Sequence, residues 1–81
     1  MLHGVSIIVD PERDFVIITP PRAMKNAGVK ILDTNGKLAL SSHSHRGPHA
    51  EIDIATLPEG YYFVSLEEQD GTVYSSRFVK K

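Results

Sequence analysis

At 81 residues the chain is expected to form one domain, spanning 1–81, near the lower size limit at which a single hydrophobic core supports folding. It has no cysteine, which excludes disulfide staples, and nine Lys/Arg against ten Asp/Glu leave a formal net charge of -1, which excludes the broad basic surface that nucleic acid requires. The longest apolar stretches, Ile7 to Val9 and Phe15 to Ile18, fall far short of the roughly 20 residues of a membrane-spanning helix, so no membrane span is expected.

Apolar residues arrive in short runs of Val, Ile, Leu, Tyr and Phe broken by turn residues, with no sustained helical period, and this pattern predicts an all-β chain. The first strand is expected at Val5 to Val9, closed by Asp10-Pro11. The segment MLHGVSIIVDPERD lacks the basic and apolar regions of a secretory leader and is not expected to direct export by itself. A second strand, Asp14 to Thr19, ends at Pro20-Pro21. Val29 to Asp33 and Lys37 to Ser41 flank Asn35-Gly36, a dipeptide suited to the positive φ angles of a hairpin turn. Ser42 to His49, polar and without apolar anchors, is predicted to be the least ordered segment. Ala50 to Ile54 is the fifth strand, and ATLPEG after it reads as a turn crossing from one sheet to the other, with Leu57 plugging the end of the core. Tyr61 to Glu67 and Val73 to Val79, joined through Asp70-Gly71, form a terminal hairpin.

Alternation along these strands assigns their faces. Ile52 and Ile54 turn inward around Asp53, Tyr62, Val64 and Leu66 turn inward between Tyr61, Phe63 and Ser65, and Tyr74 and Phe78 share a face with Ser76. The expected fold is an Ig-like antiparallel β-sandwich of about seven strands, its core built from Val29, Ile31, Leu38, Leu40, Ile52, Ile54, Tyr62, Val64, Leu66, Tyr74 and Phe78.

Candidate chemistry is sparse. His43, His45 and His49, near Glu51, have a spacing that could offer imidazoles to zinc or copper, although a solvated His-rich loop is the favoured reading and no cofactor is expected. Ser42 and Ser44 lack the strand-turn-helix setting of a nucleophile, and no enzymatic activity is expected. Tyr61 and Phe63 face outward, where they could stack on sugars or a partner protein, although packing beneath a neighbouring loop or strand edge is the favoured reading. Lys80 and Lys81 read by default as guards of an edge strand, and the sequence does not separate that role from recognition of their charges by a partner.

VKILDTNGKLAL followed by IDIATLPEGYYFVSLEEQDGTVYSSRFVKK resembles the C-terminal sorting domain of cargo proteins of the type IX secretion system. The matching residues are Asp33, Gly36 and Lys37, then Leu57, Pro58, Gly60 and Tyr62, then Gly71, and finally Arg77, Phe78, Val79, Lys80 and Lys81. The first third departs from the family's Pro-Asn-Pro box, carrying VDPERDFVII instead, which leaves open a closely related small exported β-sandwich domain with another role. The resemblance implies a non-catalytic signal recognised by outer-membrane secretion machinery, with an upstream cargo and a sortase-like processing enzyme as partners. It further implies passage through the periplasm to the cell surface or the medium, and a native start upstream of Met1. The alternative is a non-catalytic Ig-like structural or adhesive module that binds carbohydrate or protein through one sheet face.

Overall fold

The computed structural model describes residues 5–10 and 12–81, so Pro11 of the expected Asp10-Pro11 turn and the first four residues, on which the reading of the chain's start partly rests, lie outside the described residues. Seven strands occur among the described residues: β1 Ser6–Asp10, β2 Phe15–Thr19, β3 Met24–Leu32, β4 Leu38–Gly47, β5 Ala50–Asp53, β6 Gly60–Glu67 and β7 Val73–Lys80. They form two antiparallel sheets, one ordered β1-β2-β5 and the other β4-β3-β6-β7. The inward faces of both meet in one core, with Val16, Ile18 and Ile52 on one side and Val29, Ile31, Tyr62, Val64, Leu66 and Phe78 on the other. This is the expected Ig-like sandwich, and ATLPEG crosses between its sheets as read from the sequence.

Both hairpins form with three-residue loops rather than two-residue ones. Asp33 N–H donates to the Lys37 carbonyl at 2.9 Å, and Gly36 N–H donates back to the Asp33 carbonyl at 3.0 Å. Glu68, Gly71 and Thr72 repeat the arrangement at 2.7 and 3.0 Å. Only the glycine of each pair takes a positive φ, 80° at Gly36 and 94° at Gly71. The polar residue before it stays in the ordinary region, as a type I turn closed by a left-handed glycine requires.

Three expectations are corrected. Ser42 to His49 is largely strand, because β3 begins at Met24, five residues earlier than Val29, and supplies a partner as far as Gly47. Polar Lys25 and Asn26 and two register shifts within Met24 to Val29 hide this pairing from a period-two reading. Leu38 is not a core residue: a register shift pairs it with Leu32 while Leu40 pairs with Ile31, which turns Leu38 to the outer face and leaves it 51% exposed. Leu40 and Tyr74 are only half-buried against the core, whereas Val5, Val16, Ile18, Met24, Ala27 and Ala50, absent from the expected set, are buried. The inward face of β2, Val16 and Ile18, and the early start of β3, Met24 and Ala27, account for most of these additions.

Truncating Tyr62 or Phe78 to Ala should cost about 3–5 kcal/mol, measured as a fall in the denaturant midpoint, whereas Leu38→Ser should change stability by no more than about 0.5 kcal/mol. A comparable loss from all three would contradict this division between inner and outer faces.

Candidate functional site

Six motif residues, Leu57, Pro58, Gly60, Tyr62, Phe78 and Lys80, converge on the turn between β5 and β6. Gly60 opens β6 at φ 149°, a conformation that a side chain would strain. Two residues on, Tyr62 points inward, donates its hydroxyl to the Pro58 carbonyl at 2.6 Å, and stacks on Phe78 with ring centroids 5.5 Å apart and an interplanar angle of 23°. Gly60 is paired directly with Lys80 at the end of β7, so the ladder delivers the Lys80 side chain to the same turn. Its ammonium donates to the carbonyls of Ile54 at 2.8 Å, Leu57 at 2.6 Å and Ala55 at 3.4 Å. Leu57 itself is buried as the expected plug.

The turn is thus held from three sides. Ile54 N–H donates to the Asp14 carbonyl at 2.8 Å, Ala55 N–H to Asp53 Oδ1 at 2.9 Å, and Leu57 N–H to the Ile54 carbonyl at 3.0 Å. Crossing turns leave several carbonyls without ladder partners, and one lysine here satisfies three of them with its three protons. Lys80 is therefore neither an edge guard nor a freely displayed cation; Lys81, beyond it, is exposed.

The other hairpin explains a second group of motif residues by local geometry. Asp33 Oδ1 accepts from the N–H groups of Asn35 at 2.9 Å and Lys37 at 3.0 Å, so Asp-x-x-Gly-Lys describes a self-capped turn. Asp70 does similar work before Gly71, accepting from Thr72 N–H at 2.9 Å, and this bond holds its carboxyl below the usual carboxylate range. At the opposite end of the chain, Asp10 is likewise lowered, chiefly by its hydrogen bond from the Arg13 side chain at 3.0 Å. Lys37, Arg77 and Val79 are the motif residues, with Lys81, whose side chains stand outward in or beside the strands.

The outer face of the four-stranded sheet is more apolar than the sequence suggested. Tyr61 is 68% exposed and Phe63 46%, so the favoured reading, burial beneath a loop or strand edge, does not hold. Phe63 lies in a row with Leu32 and Arg77 on its neighbouring strands, and Tyr61 pairs with Val79. Tyr61, Phe63, Arg77 and Val79, together with Thr34, line a shallow depression.

The histidines are not gathered into one site. In a regular strand His43 and His45 would share a face, but Ser44 adopts φ 65° between them and the register shifts there. His43 lies outward, over Gly28, while His45 pairs with buried Ala27 and shares a 2.8 Å hydrogen bond with the Ser42 hydroxyl. Among the described residues no three His, Asp or Glu side chains converge as a metal site would require. Partial burial, and secondarily the nearby His43, lowers the pKa of His45 below the ordinary histidine value.

A family model described as the secretion system C-terminal sorting domain matches residues 10–81. The chain belongs to that family, the type IX sorting domains whose motif its sequence resembles. No curated protein matches the chain. Among solved structures, a DUF3244 family protein with an immunoglobulin-like β-sandwich fold from Bacteroides vulgatus is similar at 13% identity and a TM-score of 0.77, with 98% of this chain and 86% of that one covered. CopC from Methylosinus trichosporium OB3b is similar at 17% identity and a TM-score of 0.59, with 98% of this chain and 82% of that one covered. At such identities these two likenesses concern the fold alone.

Two outcomes test the site. Lys80→Ala should destabilise the domain by about 1–3 kcal/mol, because it leaves three carbonyls without their donor, while Lys81→Ala stays within about 0.5 kcal/mol; chemical denaturation of the two variants checks this. For His45, the unfolded chain takes up the proton at a higher pH than the folded one does. Its contribution to stability is therefore complete above about 6.5 and is lost as pH falls from there toward the lowered folded value. The melting temperature should drop across that window, and His45→Gln should remove this part of the slope; an unchanged slope in the variant would contradict the assignment.

Proposed function

We propose that the domain is a non-catalytic signal that directs an upstream cargo protein across the outer membrane for surface anchoring or release. Its partners on this reading are the outer-membrane secretion machinery and a sortase-like processing enzyme, and its route runs through the periplasm. The observation that carries the proposal is the match of the sorting-domain family over residues 10–81. Geometry adds a physical rationale: Leu57, Pro58, Gly60, Tyr62, Phe78 and Lys80 hold one turn together, so the motif acts mainly by building a folded C-terminus. A folded signal presents a fixed surface without the ordering cost that a disordered tail would incur on recognition.

On this reading the residues available to be recognised are the outward ones, notably Lys37, Arg77, Val79 and Lys81. A second reading, an Ig-like adhesive or structural module, is favoured by the exposure of Tyr61 and Phe63 on the outer sheet face, which suits stacking on a sugar or contact with a protein.

A cargo fusion expressed in a host with the type IX machinery separates the two. Arg77→Ala combined with Lys81→Ala should leave the melting temperature nearly unchanged yet reduce surface delivery several-fold. Lys80→Ala should reduce delivery only in proportion to the stability lost. Normal delivery by the double variant and by a fusion lacking Phe78 to Lys81 would reject the sorting role.

A further inference from the structure

The two sheets have four edge strands, and three are unsuited to pairing with another chain. β5 has four residues and β1 five. β4 is interrupted by three register shifts and by the left-handed Ser44, and Pro48 follows its last residue. These are the ordinary means by which sheet edges are kept from associating. β7 has none of them. Its eight residues pair with β6 in unbroken register, it contains neither Pro nor Gly, and no ladder joins it to the neighbouring edge strand β1, whose Val9 lines one depression with Val79 and Lys80. Lys80, the residue placed to guard this edge, has its ammonium turned into the β5–β6 turn.

The hydrogen-bond phase of β7 follows from its hairpin. Glu68 N–H donates to the Thr72 carbonyl, which makes those two residues a bonded pair. In an antiparallel ladder bonded pairs recur at every second residue, so Tyr74, Ser76, Phe78 and Lys80 exchange bonds with β6. Val73, Ser75, Arg77 and Val79 direct their N–H and C=O groups to the open edge, and the same four carry the outward side chains. Val73 and Val79 are 53% and 39% exposed.

We propose that β7 is a self-association edge, pairing antiparallel with β7 of a second copy of this chain about a two-fold axis at Ser76. This register brings bonding residues opposite bonding residues and keeps almost the whole strand paired. It sets Val73 against Val79 of the second copy, and Ser75 against Arg77, at both ends of the dyad. Tyr61, directly paired with Val79, extends each valine contact into an apolar row on the outer face. The neighbouring registers are poorer. An axis at Arg77 sets two guanidinium groups opposite one another, and an axis at Ser75 sets Val73 against Arg77 and Val79 against Gly71 in the turn. With the axis at Ser76 the two Arg77 side chains fall on a diagonal, where their length lets them splay apart. The result is a continuous eight-stranded sheet formed from the two four-stranded ones. The contact is a single strand pair, smaller than a standard stable interface, so the association is weak and concentration-dependent.

Sedimentation equilibrium of the chain from micromolar to millimolar concentration tests this. The mass should rise from 9.0 kDa toward twice that value. Val73→Lys with Val79→Lys puts Lys against Lys at both ends and should raise the dissociation constant at least tenfold. Val73→Glu with Val79→Lys puts Glu against Lys at both ends and should restore association to within a few-fold of the parent chain. All these positions are exposed, and melting curves verify that each variant is folded. A mass fixed at 9.0 kDa up to millimolar concentration, or equal behaviour of the two folded double variants, would overturn the proposal.

Discussion

The hydrogen bonds from Lys80 to the carbonyls of Ile54, Ala55 and Leu57 are the constraint on which this domain turns. A chain that crosses from one sheet to another leaves the ladder for a few residues, and its carbonyls must find donors or remain poorly solvated at the end of the core. Among the described residues Lys80 is the side chain whose ammonium reaches these carbonyls, with three protons on one atom. Because Lys80 sits at the last position of β7, the bonds also couple the end of the chain to a turn more than 20 residues earlier, and so tie the four-stranded sheet to the end of β5. The Tyr62 hydroxyl, bonded to Pro58, fixes the other side of the same turn.

Seen this way, a motif spread over more than 20 positions is one physical object. Leu57 fills the end of the core, Pro58 supplies an acceptor, and Gly60 takes the φ angle that lets the chain enter β6. Tyr62 bonds and stacks, Phe78 receives the stack, and Lys80 closes the turn. Asp33, Gly36 and Lys37 belong to a separate, self-contained turn. A sorting domain must reach its partner folded if its surface is the message. A motif concentrated on closure of the fold, with few outward members, suits that requirement better than a linear epitope would.

The sequence was legible wherever local rules suffice. Asn35-Gly36 and Asp70-Gly71 mark their hairpins, and alternation places Ile52 and Ile54 or Tyr62, Val64 and Leu66 correctly, because each pair of strands there stays in register. It failed wherever a bulge intervenes. Register shifts between β3 and β4 move Leu38 to the surface, separate His43 from His45, and allow a polar segment to pair as strand. Such shifts have no distinctive residue signature: along β3 and β4 only Ser44 and Gly47 take a positive φ. The role of Lys80 was equally hidden: a terminal lysine after an aromatic strand reads as solvated, and only the pairing of Gly60 with Lys80 reveals where its ammonium goes. Tyr61 and Phe63 were expected to pack beneath a loop or strand edge, but of the β3–β4 turn only Thr34 reaches their depression, and both rings stay exposed.

That open face and the closed turn are products of the same strands. Along β6 and β7 the residues that hold the fold, Tyr62, Val64, Leu66, Phe78 and Lys80, alternate with those that meet solvent, Tyr61, Phe63, Arg77 and Val79. Period-two geometry thus separates stability from display with no residue serving both. Changes on the outer face can alter what the domain meets without loosening the core, while changes on the inner face remove the surface altogether by unfolding it. The hairpin is therefore the part of the molecule in which a recognition surface can vary most freely over a fixed scaffold. The lysine that closes the scaffold is also the residue at which β7 stops.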